Sequence, residues 1–409
     1  MEERNTTGTA PTICLAMIVR NESKIIERCI ESALPIIDTF CIIDTGSTDD
    51  TVVRLECLRE THDMPDAQIH LSKFVNFEVN RTEAVQRAAA MADYTLLLDA
   101  DFVLCVDTTL FHKELLRTCD QWNMEQHHGS GGLSYYNTRI VSNRSGVQWK
   151  YKGVTHEYIT HVKGGGGGVP TKGALDKRAI SIHDLGDGGC KEHKFTRDYE
   201  LLTQGLHSEP DNLRYKFYLA QTCKDLKKWD EAVYWYSQCL DRNWIEERYY
   251  ARYQMGVCMR NRGDPEHRWM EALLKAHSFC PQRHEALCDL VQWCQSREHY
   301  HMGASFARAH QQNEKCCAPN KHASLFLDTS VYAYKFADVS LICAVHAKDQ
   351  ELTRQCAESL MGAWQRGHVP DAHRKRIAGN LRFALQCDTV SQVYERIKQH
   401  HPGQGQDAP

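Results

Sequence analysis

Three apolar runs of strand length, 13–19 (ICLAMIV), 40–43 (FCII) and 94–98 (YTLLL), each give way abruptly to polar residues, and stretches of helical spacing separate them. The first such stretch, 24–34, carries Ile25, Ile26, Cys29, Ile30 and Ala33 at the 3–4 residue spacing of one helix face. The pattern predicts further helices over 49–60 and 81–91 and a weak strand at 69–71. Strand alternating with helix predicts an open parallel sheet, buried on both faces, with ligands at the carboxyl ends of its strands. The polar segments fall at those ends: Asn21-Glu22, Asp44-Thr45-Gly46-Ser47 and Asp99-Ala100-Asp101. Short strands expected at 134–141, 147–151, 157–162 and 179–183 would extend the sheet in mixed or antiparallel fashion. Five consecutive glycines, 164–168, are expected to form a loop, either a hairpin linker or a flap near substrate.

Beyond about residue 191 the period becomes helical almost throughout. The segment 215–223, a Lys227-Lys228 turn and the segment 229–236 place small and aromatic residues where paired helices interlock, and this resembles a tetratricopeptide repeat. A second copy is read through Tyr253, Gly256, Ala272 and Pro281, and a third through Leu290, Tyr300, Ala304 and Ala307. Further helical pairs are expected near 323–347 and 350–399. The expected organisation is a flexible start at 1–11, an α/β domain at 12–190, a helical repeat domain at 191–400 and a flexible tail at 401–409.

Charge adds little direction. Lys plus Arg number 49 against 53 Asp plus Glu, a net of −4, so no global field favours nucleic acid or an anionic membrane. The start of the chain has no basic segment followed by an apolar one, and no run approaches the roughly 18 apolar residues of a membrane span. Eighteen cysteines without C-x-x-C pairs read as small buried hydrophobes, kept reduced in a cytosol. Glycosylation sequons stand at Asn5, Asn21, Asn80 and Asn143; Asn21 and Asn80 fall in segments assigned to the ligand site, where a glycan would obstruct it. A lumenal Golgi enzyme trimmed of its anchor stays open as the alternative. Cys316-Cys317, the histidines at 127–128 and those at 299 and 301 are read as incidental rather than as zinc sites.

In Asp99-Ala100-Asp101 two carboxylates leave a buried strand at i and i+2, so both can approach one point, and hard oxygen ligands there suit Mg2+ or Mn2+ held together with phosphates. Alone the triplet is a weak signal. Its company is more specific: 18–22 (IVRNE), 42–49 (IIDTGSTD) with Thr51, Phe77 and Arg81 ahead of a helix, and 96–101 (LLLDAD). In order, spacing and strand context these segments resemble a family 2 glycosyltransferase of GT-A fold, over about residues 12–185. The continuation, 149–157 (WKYKGVTHE) and 183–189 (HDLGDGG) followed by Lys191, Lys194, Arg197 and Asp198, is similar to the sublancin S-glycosyltransferase group, which joins this domain to tetratricopeptide-like helices.

The resemblance implies an inverting, metal-dependent transferase that moves a sugar from a nucleotide sugar, foremost a UDP-sugar, to a protein, peptide or glycan acceptor. Glu22 and Asp44 would hold uracil and ribose, with Ser47 and Arg81 nearby; helix capping is the other reading of Glu22 and Ser47. Asp99 would contact the ribose or a metal-bound water, Asp101 would ligate Mn2+ or Mg2+, and His183 would add a further ligand. Lys191, Lys194 and Arg197 would neutralise the diphosphate, or form an exposed basic helix start. Glu157 would be the general base and His156 its neighbour on phosphate or acceptor, with the reverse assignment or a structural ion pair at Glu157 left open. Phe102 stands where many of the subgroup carry an acid, and Asn80-Arg81-Thr82 replaces a more usual Ala-Arg-Asn. Helical repeats would present the acceptor or join two copies. A nucleotide-binding interaction scaffold without turnover is the alternative function. Another nucleotide chemistry is disfavoured because neither G-x-G-x-x-G nor a P-loop motif occurs.

Overall fold

The computed structural model describes residues 9–129, 133–143, 147–162, 169–188, 194–241, 243–312 and 326–384. The chain divides into two compact units, up to Tyr218 and from Leu219 onward.

The first unit is built on a mixed sheet in the order β3-β2-β1-β4-β7-β6-β11-β5, with β10 added on β6. Strands β1 (Ile13–Val19), β2 (Thr39–Asp44), β3 (Gln68–Leu71) and β4 (Tyr94–Leu97) run parallel, as the apolar runs predict. β5 (Phe102–Val106), β6 (Gln121–His128), β7 (Leu133–Ser142), β10 (Lys172–Ala174) and β11 (Ile180–Asp184) complete it. β7 is antiparallel to both β4 and β6, while β6 and β11 are parallel. The carboxyl ends of β1, β2, β4, β6 and β11 therefore share one edge of the sheet with the amino end of β7.

Why β1 reads as an unbroken apolar run is visible in its packing. Ile13, Leu15, Met17 and Val19 enter one core with Ile26, Cys29, Ile30 and Ala33 of α1 (Ile26–Ala33) and with Leu55 and Leu58 of α2 (Thr51–Thr61). Cys14 and Ala16 enter the opposite core with Ala84, Val85 and Ala88 of α3 (Phe77–Ala88). Each such leucine or isoleucine contributes about 1.5–3 kcal/mol by leaving water.

Three features differ from the sequence expectation. Helix α3 begins at Phe77, a turn before 81, because the Asn76 Oδ1 accepts the Val79 N–H at 2.8 Å and caps it. β8 (Trp149–Lys152) and β9 (Tyr158–His161) form their own antiparallel hairpin rather than extending the main sheet. β5 (FVLCV), β6 and β10 lie outside the strands the sequence predicts, and of these β6 carries no clean alternation. The glycines 164–168, Lys191 and Cys316-Cys317 lie outside the described residues.

Helices α4 (Lys194–Ser208) and α5 (Leu213–Asp225) follow, the unit boundary falling inside α5. The second unit contains α6 (Trp229–Ser237), α7 (Ile245–Arg262), α8 (Glu266–Phe279), α9 (Glu285–Ser296), α10 (Tyr300–Gln312), α11 (Phe336–His346), α12 (Gln350–Gln365) and α13 (Asp371–Ala384). Gly256 is one interlock: a Cβ there would stand 2.8 Å from Leu273 Cδ2 and 3.3 Å from the Ala272 Cβ, so α7 and α8 approach closely only with glycine at that site.

Candidate active site

The loops after β1 and β2 are laced to each other. Asn21, at φ +56°, donates its backbone N–H to Ser47 Oγ (2.9 Å), and its own Oδ1 accepts the Thr48 N–H (2.7 Å). Neither Glu22 nor Ser47 caps a helix with its side chain: Ile25 and Asp50 occupy the N-cap positions, and Ser47 is committed to Asn21. Asp44 is 2% exposed; its Oδ1 accepts the N–H groups of Gly46 (2.9 Å) and Ser47 (2.8 Å), and its Oδ2 is buried without a hydrogen-bond partner among the described residues. A carboxylate oxygen left so is costly unless something else donates to it.

Above the sheet edge lies a cleft of about 500 Å3 within the first unit. Glu22, Arg81, Asp99, Asp101, His156, Glu157, Lys194 and Arg197 all line it, so residues spread over 175 positions of sequence meet in one place. Asp44, Ser47 and His183 do not line it. His183 points to the other face of β11, exposed, its ring 5.4 Å from that of His127. Because strand side chains alternate, it is the next residue, Asp184, that faces the cleft.

Arg81 is the electrostatic centre. Its Nη2 donates to Asp99 Oδ1 at 2.5 Å, and its Nε lies 2.6 Å from Glu157 Oε1. Burial works against its charge, but the Asp99 and Glu157 carboxylates outweigh burial and raise its pKa. Burial likewise opposes ionisation of Asp99, and Arg81 together with Arg139, whose Nη1 is 3.9 Å from Asp99 Oδ2, overcomes it and holds the carboxyl below the usual range. Asp99 is thus compensated by two guanidinium groups and is poorly suited to ligate a metal.

Asp101 fits better. A Cβ built on Gly188 would lie 3.3 Å from Asp101 Oδ2 and 3.5 Å from Glu22 Oε1, so these two hard oxygen donors converge on the space a side chain at 188 would fill. Mg2+ and Mn2+ commonly take one or two protein carboxylates and complete their shell with phosphate and water, so the pair fits such an ion in company with a diphosphate. Among the described residues no cluster of three ligating side chains would hold an ion unaided.

The 153–157 segment is pinned to α3. Gly153 N–H donates to Glu78 Oε2 (2.6 Å), Phe77 N–H donates to the Val154 carbonyl (3.2 Å), and Tyr151 N–H donates to Thr82 Oγ1 (2.9 Å). His156 takes φ +51°, stacks on Tyr218 with ring centroids 4.0 Å apart, and its carbonyl accepts from Arg214 Nη2 at 2.7 Å. Although His156 is exposed to the cleft, the surrounding protein, then Lys194 and Arg214, push its imidazole pKa down to about 4, so the ring is neutral at neutral pH.

Sequence reasoning missed the floor. Arg139 of β7 donates from Nη2 to Gln126 Oε1 (2.7 Å) and stands 4.8 Å over the Phe102 ring. Gln126 Nε2 donates to Asp184 Oδ2 (3.2 Å), which His128 Nδ1 also contacts at 2.9 Å. The single charged residue of β7, LSYYNTRIVS, was the available signal for Arg139.

A mixed α/β sheet whose acidic strand ends open on one cleft, followed by paired helices, defines a GT-A-type domain with a tetratricopeptide-like helical extension. Residues 14–108 match the model of Glycosyl transferase family 2. Over 230 residues it is 24% identical to the SPbeta prophage-derived glycosyltransferase SunS of Bacillus subtilis, covering 54% of this chain and 52% of the relative. It is 32% identical over 96 residues to a TPR repeat-containing protein of Synechococcus elongatus, covering 23% of this chain and 22% of that one. The chain thus spans about half, or less, of the length of the curated relatives it matches. Among solved structures, S. aureus TarS 1–349 aligns over 87% of this chain and 92% of that one at 11% identity with a TM-score of 0.31, too distant a likeness to bear on function.

Proposed function

We propose that the chain transfers a sugar from a nucleotide sugar, a UDP-sugar first, to a protein, peptide or glycan acceptor in one displacement with inversion. The observation that carries the reading is the meeting of Glu22, Arg81, Asp99, Asp101, Glu157, Lys194 and Arg197 in one cleft at the carboxyl edge of a family 2 sheet. In this reading the unpartnered Oδ2 of Asp44 accepts the imide N–H of uracil through a small adjustment of the 44–48 loop, with Ser47 shaping that loop. Arg81 sets Asp99 toward the ribose. Lys194 and Arg197, in the first turn of α4 where backbone N–H groups also point outward, neutralise the diphosphate, and Lys191 just upstream adds to them. Asp101, with Glu22, would hold Mg2+ or Mn2+, which when bound supplies a Lewis acid for the charge that develops on the departing phosphate; His183 is left without a part in this.

Glu157 then takes the proton of the attacking acceptor group as the acceptor bonds to the anomeric carbon and the nucleoside diphosphate leaves from the opposite face. Arg81 orients that carboxylate at 2.6 Å, and neutral His156, fixed by stacking on Tyr218, offers a hydrogen-bonding wall to phosphate or acceptor. We place this activity in the cytosol, a reading supported by the described cysteines, most of which are buried as thiols.

The test is release of nucleoside diphosphate from a panel of UDP- and GDP-sugars with Mn2+ or Mg2+, with Asp101→Ala as the control. Release from one donor that chelator and the substitution both abolish is expected. Absence of release and of UDP binding would leave the scaffold reading in its place.

A further inference from the structure

The cleft floor ends in an acceptor that nothing in the donor scheme above uses. Asp184, the last residue of β11, receives its hydrogen bonds on one oxygen only: Gln126 Nε2 and His128 Nδ1 both reach Oδ2. The orientation of the Gln126 amide is dictated by its neighbours. Arg139 has only donors, so Gln126 must turn its oxygen to Arg139 and its nitrogen to Asp184. Asp99, Arg139, Gln126 and Asp184 thus form one polar row along the floor, and Asp184, whose Oδ1 takes no hydrogen bond among the described residues, lines the cleft. Beside it, on β7 opposite Gln126, Tyr135 lines the same cleft and its hydroxyl makes no hydrogen bond among the described residues.

The sheet order says what these groups would meet. Asp44 and Glu22 follow β2 and β1, Asp101 closes the turn from β4 into β5, whose Phe102 pairs in register with Asp184 of β11, and Tyr135 and Gln126 lie on β7 and β6 between β4 and β11. If the nucleoside lies over β1 and β2 and the diphosphate at Asp101, the group beyond the diphosphate extends over β7, β6 and β11. Its hydroxyls are donors, and a carboxylate oxygen held rigid by two hydrogen bonds to its partner oxygen is a strong, directional acceptor for them. We propose that Asp184, positioned by Gln126 and Arg139, binds hydroxyl groups of the transferred sugar and, with the Tyr135 hydroxyl, decides which hexose the chain accepts. The proposal rests on the transferase reading and deepens it.

It is tested on the full chain by nucleoside diphosphate release from UDP-glucose, UDP-galactose and UDP-N-acetylglucosamine, alongside calorimetric binding of UDP. For Asp184→Asn, unchanged UDP affinity is expected, together with a fall of about tenfold or more in kcat/KM on the preferred donor, carried largely by KM. The preference among the three donors should flatten. Gln126→Met, which frees Asp184 from its row, should move in the same direction by less. An equal fall for every donor at unchanged KM would mark Asp184 as part of the bond-breaking machinery and overturn the proposal, as would unchanged selectivity. Loss of UDP binding with a lowered melting temperature would make its role structural. A wild-type chain that binds no UDP would instead refute the transferase reading itself.

Discussion

At the scale of single residues the site is governed by Arg81. Removing its charge leaves Asp99 and Glu157 facing each other with one distant guanidinium, so Arg81→Met should cost about 3–5 kcal/mol in urea unfolding and abolish donor turnover. Arg81→Lys, which cannot span both carboxylates with a planar fork, should recover part of the stability and little activity. Asp99 and His156 give stability opposite origins but the same sign with pH. Asp99 is held below the usual carboxylate range, so its pairing is complete above about pH 4 and lost as acid protonates it. The His156 pKa, pushed from 6.5 to about 4, means the unfolded chain takes up that proton first, so stability falls as pH drops from 6.5 toward 4. His156→Gln should therefore flatten urea stability measured between pH 7 and pH 5, and the activity profile of the native chain should show no inflection near 6.5 that this substitution removes.

Elements carry these residues to their places, and two of them make separate predictions. Gly153 has φ +116°, and a Cβ there would press on the Glu157 Cα at 3.2 Å and the Thr155 carbonyl at 3.3 Å. Gly153→Ala should shift the 153–157 segment, lowering kcat by about tenfold or more with UDP affinity unchanged, since only the base side of the cleft moves. In the helical unit Arg283 is fully buried, with its Nη1 on Glu246 (2.5 Å) and its Nη2 on Glu285 (2.8 Å), while Tyr249 and Tyr332 donate their hydroxyls to Glu285. Arg283→Met strands both glutamates and should lower stability by about 3–5 kcal/mol, whereas Arg283→Met with Glu246→Gln and Glu285→Gln should regain much of it in the same thermal melts. Legibility followed packing. Strands buried on both faces, such as β1, announce themselves as apolar runs. β6, QWNMEQHH, does not, because Gln126 serves the cleft while Glu125 and His127 occupy its other face. A polar strand with work on both sides has no hydrophobic period to read.

Across the whole molecule the change from alternating strands and helices to helices alone was legible, because each architecture imposes its own period on hundreds of residues. The candidate site was legible as a shared place where motifs stand at strand ends and at the starts of helices: Glu22, Arg81, Asp99, Asp101, Glu157, Lys194 and Arg197 line one cleft. It was not legible where function depends on which face a strand residue takes, which is how His183 and Asp184 came to exchange places, nor where the end of β4, the β6–β7 hairpin and β11 together supply one polar row. Among the described residues no helix is long and apolar enough to cross a membrane. In the proposed function this cleft holds a nucleoside diphosphate together with a divalent ion. Calorimetric titration of UDP into the full chain tests it most directly, with Mn2+, with chelator, and with Asp44→Asn and Asp101→Asn. Saturable binding weakened about tenfold or more by chelator or by Asp101→Asn, and lost in Asp44→Asn, is the predicted result. Binding of neither UDP nor GDP at millimolar concentration, or UDP binding indifferent to metal and to both substitutions, would contradict it.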